Sequence, residues 1–327
     1  MSQLRRNGFF SPSVFEANDV LSDKFLRYLF RRQYRPQLNR FLAPDYAVVL
    51  DYPVKISPRY GYGKPPHPEI LRILEEGRAE YAQRLAGFCK LMDWLSKIPD
   101  EPSQVATEPC WGPQRFFSSL DAVALCGMLV EFRPKNLIEV GSGYSTKFAR
   151  CAIQQNGLST RITSIDPFPR AEIDEICDRV IRQPLEDVNP NIFEELQPGD
   201  FLFIDSSHRT FTNSDVTIVF MELLPRLREG VLVHVHDIFW PYDYPPEWNG
   251  RYYSEQYLLA AYLLGAGASR VKVLLPNAFI VHDQELADIC HPFLEIEGVR
   301  RSRDDASSPY GLGGGSFWLQ NTRTKNR

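Results

Sequence analysis

The stretch that decides the fold is KNLIEVGSGYST, residues 135–146. A short apolar run from Asn136 to Val140 contains one acid, Glu139, and is followed by Gly141-Ser142-Gly143 and a helix-like segment. Because glycine has no Cβ, it permits a tight turn and lets a ligand approach the backbone. A turn from strand to helix at the carboxyl end of a strand is where α/β sheets bind nucleotide-like ligands. The stretch therefore predicts a Rossmann-like sheet that binds an adenosine-containing cofactor.

The remainder of the chain after residue 118 alternates between helix-like and strand-like segments. Apolar strand-like runs lie at 161–165, 180–181, 201–204, 231–235 and 271–275, and helix-like patterns lie at 120–132, 147–155, 215–227 and 257–264. Strands that are apolar on both faces and alternate with helices indicate a parallel sheet covered on both sides. We predict an α/β fold with a Rossmann-like, mostly parallel seven-stranded sheet, helices on both faces and an antiparallel last strand at 316–319.

The first part of the chain differs in composition from the rest. Residues 1–118 are rich in Arg, Pro and Tyr, and apolar residues recur at helical spacing from Ile70 to Leu95. We predict a mostly helical N-terminal extension or cap at 1–118, a cofactor-binding domain at 119–321 and a disordered tail at 322–327. Association of copies into a homo-oligomer through the extension is a further expectation.

The composition argues against several kinds of partner. The net charge is −4 and the pI is near 5.9, so no long-range attraction to nucleic acid or anionic lipid is expected. The longest apolar stretch, 257–268, is too short to span a bilayer, and no apolar secretory segment follows Arg5 and Arg6. The six scattered cysteines are typical of reduced thiols. We predict a soluble, cytoplasmic protein with neither a nucleic-acid nor a membrane partner.

Polar side chains stand where four of the predicted strands end. Glu139, Asp166, Asp205 and the pair His236-Asp237 occupy these positions. The carboxyl ends of parallel strands lie along one edge of a sheet, so these groups are expected to converge on one crevice. Acids after strands also serve as helix caps, but four such coincidences favour a functional site.

The glycine turn does not by itself identify the cofactor. Thr146 stands where the dinucleotide fingerprint has its third glycine, which makes the motif weak. Asp166 follows at the distance expected of an acid that accepts hydrogen bonds from ribose hydroxyls. Both NAD and S-adenosylmethionine have a ribose at this position, so the spacing leaves both open.

Several separated motifs resemble those of class I S-adenosylmethionine-dependent methyltransferases over residues 118–320. These motifs are EVGSGYST at 139–146, SIDP at 164–167, GDFLFIDSSH at 199–208, GVLVHVHDI at 230–238 and GGSFWL at 314–319. The resemblance implies an S-adenosylmethionine site made by Glu139, Gly141, Ser142, Gly143, Tyr144, Ser145, Asp166, Glu186, Asp205 and Ser207. In this set Glu186 would contact the adenine edge; as an alternative, it is a plain helix-starting acid.

Within that family the chain is similar to the metal-assisted branch of the catechol O-methyltransferase type. This similarity implies a divalent metal held by Asp205, His236 and Asp237, with His208 as the base that takes the hydroxyl proton. The branch usually has an acid followed by an acid or amide, whereas here a histidine precedes the acid. Adjacent strand residues point to opposite faces, so His236 binds the same ion only if the chain leaves the strand there; otherwise it faces the substrate as a base or donor.

The resulting hypothesis is methylation of a hydroxyl on a small molecule, with Asp205, His208 and His236 as the catalytic residues. Mg²⁺ is tolerated by such a set, and Mn²⁺, Fe²⁺ or Zn²⁺ suits it better by ligand type. The proline-stiffened aromatic loop 239–248 is either a wall of the acceptor site or an ordinary packed loop. Two other functions stay open: an NAD-dependent oxidoreductase on the same sheet, and a non-catalytic cofactor-binding subunit.

Overall fold

The structure is a computed structural model that describes residues 55–112, 117, 119–266, 270–301 and 312–322. Chain contacts divide the protein into two units, Met1–Ile56 and Ser57–Arg327. Nearly all described residues belong to the second unit. Most of the first unit, part of the predicted extension and most of the predicted tail lie outside the described residues. The predicted boundary at residue 118 stays a prediction.

The described residues form ten α-helical segments and seven strands. The helices are α1 (Pro68–Glu75), α2 (Arg78–Phe88), α3 (Met92–Leu95), α4 (Ser119–Phe132), α5 (Tyr144–Gln155), α6 (Asp215–Ile218), α7 (Glu255–Ala266), α8 (Asn277–His282), α9 (Gln284–Ile289) and α10 (Glu297–Arg301). The strands are β1 (Asn136–Val140), β2 (Arg161–Ile165), β3 (Arg179–Ile181), β4 (Phe201–Ile204), β5 (Leu232–Val235), β6 (Val271–Pro276) and β7 (Phe317–Asn321).

The seven strands make one sheet in the order β3-β2-β1-β4-β5-β7-β6. The first five are parallel, and β7 runs antiparallel to both of its neighbours. This arrangement confirms the predicted Rossmann-like, mostly parallel sheet with an antiparallel last strand. The last strand, β7, is not added at the edge of the sheet; it inserts between β5 and β6.

The register of the strands brings their carboxyl ends to one level. Val140 of β1 pairs with Ile165 of β2 and with Ile204 of β4, and Ile204 pairs with Val235 of β5. The apolar side chains of β4 and β5 are buried on both faces, as expected for a sheet covered by helices. The four residues that follow these strands, beginning with Gly141 after β1, therefore start from the same edge.

Three helical segments differ from the sequence expectation. The pattern from Ile70 to Leu95 is divided, because α1 ends before Gly77 and α2 begins after it. The helix predicted for 215–227 is only α6 followed by a π turn, Val219–Leu223; Pro225 has no backbone N–H with which to continue the helical hydrogen bonds. Helices α8 to α10 were not predicted, because each is only five or six residues long and is too short for a clear period.

Other features of the described residues agree with the sequence. The six cysteines are free thiols, three of them buried and three half-buried. No helix in the described ranges combines the length and the apolar character that crossing a membrane requires. The four histidines outside the predicted site have structural partners: His234 contacts the Ser316 hydroxyl at 2.8 Å, His67 caps α1, His282 contacts the Ala278 carbonyl, and His291 lies near Asp288.

Candidate active site

A cavity of about 370 Å³ opens at the carboxyl ends of β1, β2 and β4. Nine of the ten predicted cofactor residues line it: Gly141, Ser142, Gly143, Tyr144, Ser145, Asp166, Glu186, Asp205 and Ser207. Sequence reasoning missed other lining residues, among them Phe117, Phe168, Arg170, Leu185, Ser214 and Asp215. Phe168 had a usable sequence signal, because it lies two residues after Asp166; in the structure this residue is 87% exposed and lines the cavity.

The tenth residue, Glu139, lies beneath the glycine turn rather than in the cavity lining. Its carboxylate accepts hydrogen bonds from the hydroxyls of Ser145 and Thr146. The Thr146 hydroxyl also accepts a hydrogen bond from the backbone N–H of Gly143, at 3.0 Å. Thr146, which replaces the third glycine of the dinucleotide fingerprint, therefore ties the turn to the buried acid.

Glu139 should make the stability of the cofactor-free protein depend on pH. Burial raises the pKa of Glu139 to about 8, against the opposing effect of the Ser145 and Thr146 hydrogen bonds, whereas an unfolded glutamate has a pKa of about 4.3. The folded state holds the proton more tightly, so this stabilisation is complete below the unfolded pKa and is lost progressively as the pH rises to 8. We expect the free energy of unfolding to fall by up to about 1.4 kcal/mol per pH unit in that window.

Urea unfolding across this pH range measures the slope, with Glu139→Gln as the matched variant. Glutamine keeps the shape and a hydrogen-bond acceptor but does not titrate. The slope attributed to Glu139 should therefore disappear in the variant. Parallel profiles for the two proteins would show that Glu139 does not hold its proton in the folded state.

Asp166 fixes the end of β2 against the glycine turn. Its carboxylate accepts hydrogen bonds from the backbone N–H groups of Ser142 at 2.8 Å and Phe168 at 2.7 Å. A carboxylate offers about four acceptor sites, so capacity remains for a ligand in the cavity. On the opposite wall, the hydroxyl and backbone N–H of Ser207 both donate to Asp215 at the start of α6.

Gly141 is required because the end of β4 lies directly against it, and not only because a ligand approaches there. Its φ is +80°, and a Cβ at this position would overlap the carbonyl group of Asp205. The glycine therefore lets the turn after β1 pass directly over the end of β4. Gly143 has a φ of 168°, outside the left-handed region, and a Cβ there would be in ordinary contact with Arg170.

Beside the cavity, the ends of β4 and β5 bring together Asp205, His208, His236 and Asp237, which we call the acid–histidine cluster. His208 Nε2 lies 3.4 Å from Asp205 Oδ1 and 3.2 Å from Asp237 Oδ2. His236 Nδ1 lies 3.4 Å from Asp205 Oδ1 and 3.4 Å from Asp237 Oδ1. All four predicted catalytic and metal residues are therefore neighbours. The donor atoms of Asp205, His208 and Asp237 lie within 4.8 Å of one another, so the group whose geometry could hold a metal ion contains His208 in place of the predicted ligand His236.

The local backbone explains how His236 and Asp237 can face the same point. β5 ends at Val235, and Asp237 has a left-handed conformation with φ +56°. The chain thus leaves the strand between the two residues, which is the condition for both side chains to serve one ion. His208 also has positive φ, +59°, after the end of β4.

Each histidine of the cluster has a buried acid behind it. His208 Nδ1 contacts Glu255 Oε2 at 2.9 Å, and His236 Nε2 contacts Asp121 Oδ2 at 3.3 Å. Sequence reasoning missed both acids as site residues. They lie 47 and 115 residues away from their histidines, and each resembles an ordinary acid in the first turn of a helix.

The charges of the cluster are strongly coupled. Burial would lower the pKa of His208, but the carboxylates of Asp237, Asp205 and Glu255 outweigh it and raise the pKa well above its ordinary value. The pKa of His236 is raised in the same way, chiefly by Asp205 and Asp237. Burial would raise the pKa of Asp205, yet His236 and His208 hold it well below its ordinary range. A positive charge among these carboxylates is therefore strongly favoured.

The aromatic loop after β5 is mostly packed. Phe239, Trp240 and Tyr244 are buried, which agrees with the simpler of the two expectations for this loop. Tyr253, which follows it, is half-buried and its ring lies 4.8 Å from that of His208. The segment that follows the loop therefore contacts the acid–histidine cluster through Tyr253.

Comparison with known families identifies the segment that contains these features. Residues 138–238, from within β1 to just beyond β5, match the family described as a methyltransferase domain. This segment is similar to the methyltransferase domains of that family. The predicted resemblance to methyltransferases is thereby confirmed over the five parallel strands.

Individual relatives of this chain are distant. An uncharacterized protein of Archaeoglobus fulgidus is 24% identical over 129 residues, which is 38% of this chain and 57% of that protein. The chain thus spans little more than half the length of this relative.

Three solved structures are similar at 14–15% identity. An apo-structure of CmcI-N160 has a TM-score of 0.39 over 71% of this chain and 84% of that one. The SAH-bound methyltransferase PaMTH1 from Podospora anserina has a TM-score of 0.34 over 50% of this chain and 74% of that one. An O-methyltransferase from Bacillus cereus in complex with SAH has a TM-score of 0.32 over 64% of this chain and 84% of that one.

Proposed function

We propose that this protein transfers the methyl group of S-adenosylmethionine to a hydroxyl of a small molecule, with a divalent metal ion at the acid–histidine cluster. The observation that supports this most is the position of Asp205. Asp205 lines the cofactor cavity, and its carboxylate contacts both histidines of the cluster. A donor in the cavity and an acceptor at the cluster would therefore be neighbours, as direct methyl transfer requires.

The cavity has the size and polarity that the cofactor needs. Its volume of about 370 Å³ lies in the range of small-molecule sites, about 300–1,000 Å³. Asp166 would accept hydrogen bonds from the ribose, and Glu186 lies at the rim where the adenine edge is proposed. The polar atoms of the glycine turn line the opposite part of the cavity and suit the methionine end of the cofactor.

The donor atoms of the cluster fit a divalent cation. Ligands bound to one ion at about 2.0–2.2 Å lie at most about 4.4 Å apart, and the nitrogen–oxygen distances here are 3.2–3.4 Å. Four buried or nearly buried acids, Asp121, Asp205, Asp237 and Glu255, surround only two histidines. Negative charge in such a site needs compensation, which a divalent cation would supply.

We assign His236 to the metal together with Asp205 and Asp237, and His208 to the proton. His236 packs on the interior side, where its ring neighbours are Phe117 and His234. His208 packs against Tyr253 on the side of the aromatic loop. A base has to reach the acceptor, and this position of His208 favours it for that role.

The reaction then follows from the positions of these groups. When bound, the metal would hold the acceptor hydroxyl and lower its pKa. The metal charge would replace the positive charge that the carboxylates otherwise draw from the imidazoles, so His208 would be neutral. Its Nδ1–H would donate to Glu255, and the lone pair of Nε2 would take the hydroxyl proton. The acceptor oxygen bonds to the methyl carbon while the carbon–sulfur bond breaks, and that electron pair stays on sulfur to give S-adenosylhomocysteine.

Calorimetric titration with S-adenosylmethionine and with NAD tests the cofactor. We expect binding of S-adenosylmethionine only, and Glu186→Gln should weaken it about tenfold by removing a charged hydrogen-bond acceptor. Asp187→Asn is the matched control, because Asp187 shares the same short helical turn and is equally exposed but does not line the cavity. Equal losses of cofactor affinity in both variants would mean that Glu186 acts only by stabilising the helical turn and does not contact the cofactor. Binding of NAD instead would overturn the proposed function.

A further inference from the structure

Asp121 occupies a fixed position behind the acid–histidine cluster. It lies in the first turn of α4 and is 5% exposed. Its carboxylate accepts hydrogen bonds from the backbone N–H groups of Gly315 and Ser316, both at 2.8 Å, and from Asn277 Nδ2 at 2.8 Å. The fourth partner is His236 Nε2, at 3.3 Å. Three donors from other elements therefore hold the carboxylate in place, and the imidazole is oriented against it.

This contact determines which nitrogen of His236 can bind a cation. An ionised carboxylate can only accept hydrogen bonds, so Nε2 carries the hydrogen. In the neutral ring the lone pair is then on Nδ1. Nδ1 lies 3.4 Å from one oxygen of Asp205 and 3.4 Å from one oxygen of Asp237. A lone pair that faces two carboxylate oxygens is stable only with a positive charge between them.

We infer that Asp121 is a positioning residue that makes His236 Nδ1 a nitrogen ligand, and that the centre consequently selects a transition-metal ion such as Fe²⁺, Co²⁺ or Zn²⁺ over Mg²⁺. This inference rests on the proposed metal-assisted function. Imidazole nitrogen suits these ions, whereas Mg²⁺ prefers sites made only of oxygen ligands. Acids that hold a metal-binding histidine by its second nitrogen fix its orientation and raise its basicity.

The variant Asp121→Asn separates orientation from packing. The side-chain oxygen of asparagine, in the place of Oδ1, can still accept from Ser316 at 2.8 Å and from Gly315 at 3.1 Å, and its NH₂ group then faces His236 Nε2 in the place of Oδ2. That nitrogen must become the acceptor, so the hydrogen moves to Nδ1 and points at Asp205 and Asp237. The shape of the site is preserved, but the lone pair is turned away from the metal.

Two measurements on the purified full chain detect this move of the hydrogen on His236. Nitrogen NMR of the Zn²⁺-loaded protein should report a His236 Nδ1 without a hydrogen in the wild type, and under the same conditions the Nδ1 of Asp121→Asn should keep its hydrogen. Competition calorimetry with Co²⁺ and Mg²⁺ should show Co²⁺ preferred in the wild type. The Co²⁺ affinity should fall about 10–100-fold in the variant, with a much smaller change for Mg²⁺.

The substitution His236→Asp provides the control. With an oxygen ligand at this position the preference for Co²⁺ should be reduced, and adding Asp121→Asn should have no further effect on selectivity. Thermal melting of every metal-free variant checks folding; if Asp121→Asn does not fold, the loss of Co²⁺ preference in His236→Asp remains decisive. A wild type that binds Mg²⁺ as tightly as Co²⁺, or a His236 that stays protonated on both nitrogens with Zn²⁺ bound, would overturn the inference.

The proposed function and this inference can fail separately. Co²⁺ binding through His236 without any methyl transfer would support the inference and remove the proposed function. Methyl transfer that persists in a chelator, from a chain that binds no Co²⁺, would support a methyltransferase and overturn the inference.

Discussion

Replacing His208 by alanine should lower the rate of methyl transfer by about 10²–10⁴-fold, the usual effect of losing a general base. His208 Nε2 lies among the carboxylates of Asp205 and Asp237, and Glu255 contacts its other nitrogen. The imidazole does not line the cofactor cavity. We therefore expect S-adenosylmethionine to bind with nearly unchanged affinity. The rate at saturating cofactor, the cofactor affinity and the bound metal are measured on the same preparation.

The metal measurement distinguishes two roles for His208. Its Nε2 is as close to the two aspartates as His236 Nδ1 is, so a ligand role is the alternative to a base role. Asp205→Asn should lose both metal and activity, because Asp205 contacts both histidines, and Asp187→Asn should lose neither. If His208→Ala loses metal as severely as Asp205→Asn, then His208 is a ligand and its assignment as the base is wrong.

The strand ends could be predicted from the sequence because their position depends only on the register of a parallel sheet. Apolar runs end at Val140, Ile165, Ile204 and Val235, and these four residues are aligned across the sheet. Once the sheet is parallel, whatever follows each run lies at one edge. The cavity residues and the acid–histidine cluster follow from that single property.

The acids behind the histidines could not be predicted in this way. Asp121 and Glu255 both lie in the first turn of a helix, where acids are common for electrostatic reasons alone. Their contacts depend on how α4 and α7 pack against the sheet, which no local pattern specifies. The position of β7 between β5 and β6 is also a property of packing, and it brings Gly315 and Ser316 to Asp121.

The role of the first glycine was only partly predictable. From the sequence, Gly141 indicated room for a ligand. In the structure the group that needs the room is the end of β4, because a Cβ on Gly141 would lie 2.6 Å from the carbonyl carbon of Asp205. The turn after β1 and the carboxylate shared by the cavity and the cluster are therefore mechanically linked.

Gly141→Ala should accordingly destabilise the fold by about 3 kcal/mol or more, since it combines a positive φ with overpacking against backbone that has no room to yield. The added methyl group would also displace Asp205, whose carbonyl lies next to it, and this should weaken metal binding at the acid–histidine cluster. Urea unfolding measures the first effect and metal calorimetry the second.

Gly143→Ala is the matched control for this prediction. Gly143 lines the same cavity, but its φ of 168° is open to any residue and its Cβ would lie 3.8 Å from Arg170. This variant should keep its free energy of unfolding and its metal affinity, and should lose only cofactor affinity because the added methyl group enters the cavity. Equal stability of the two variants would mean that the turn after β1 does not press on β4, and that the glycines serve the ligand alone.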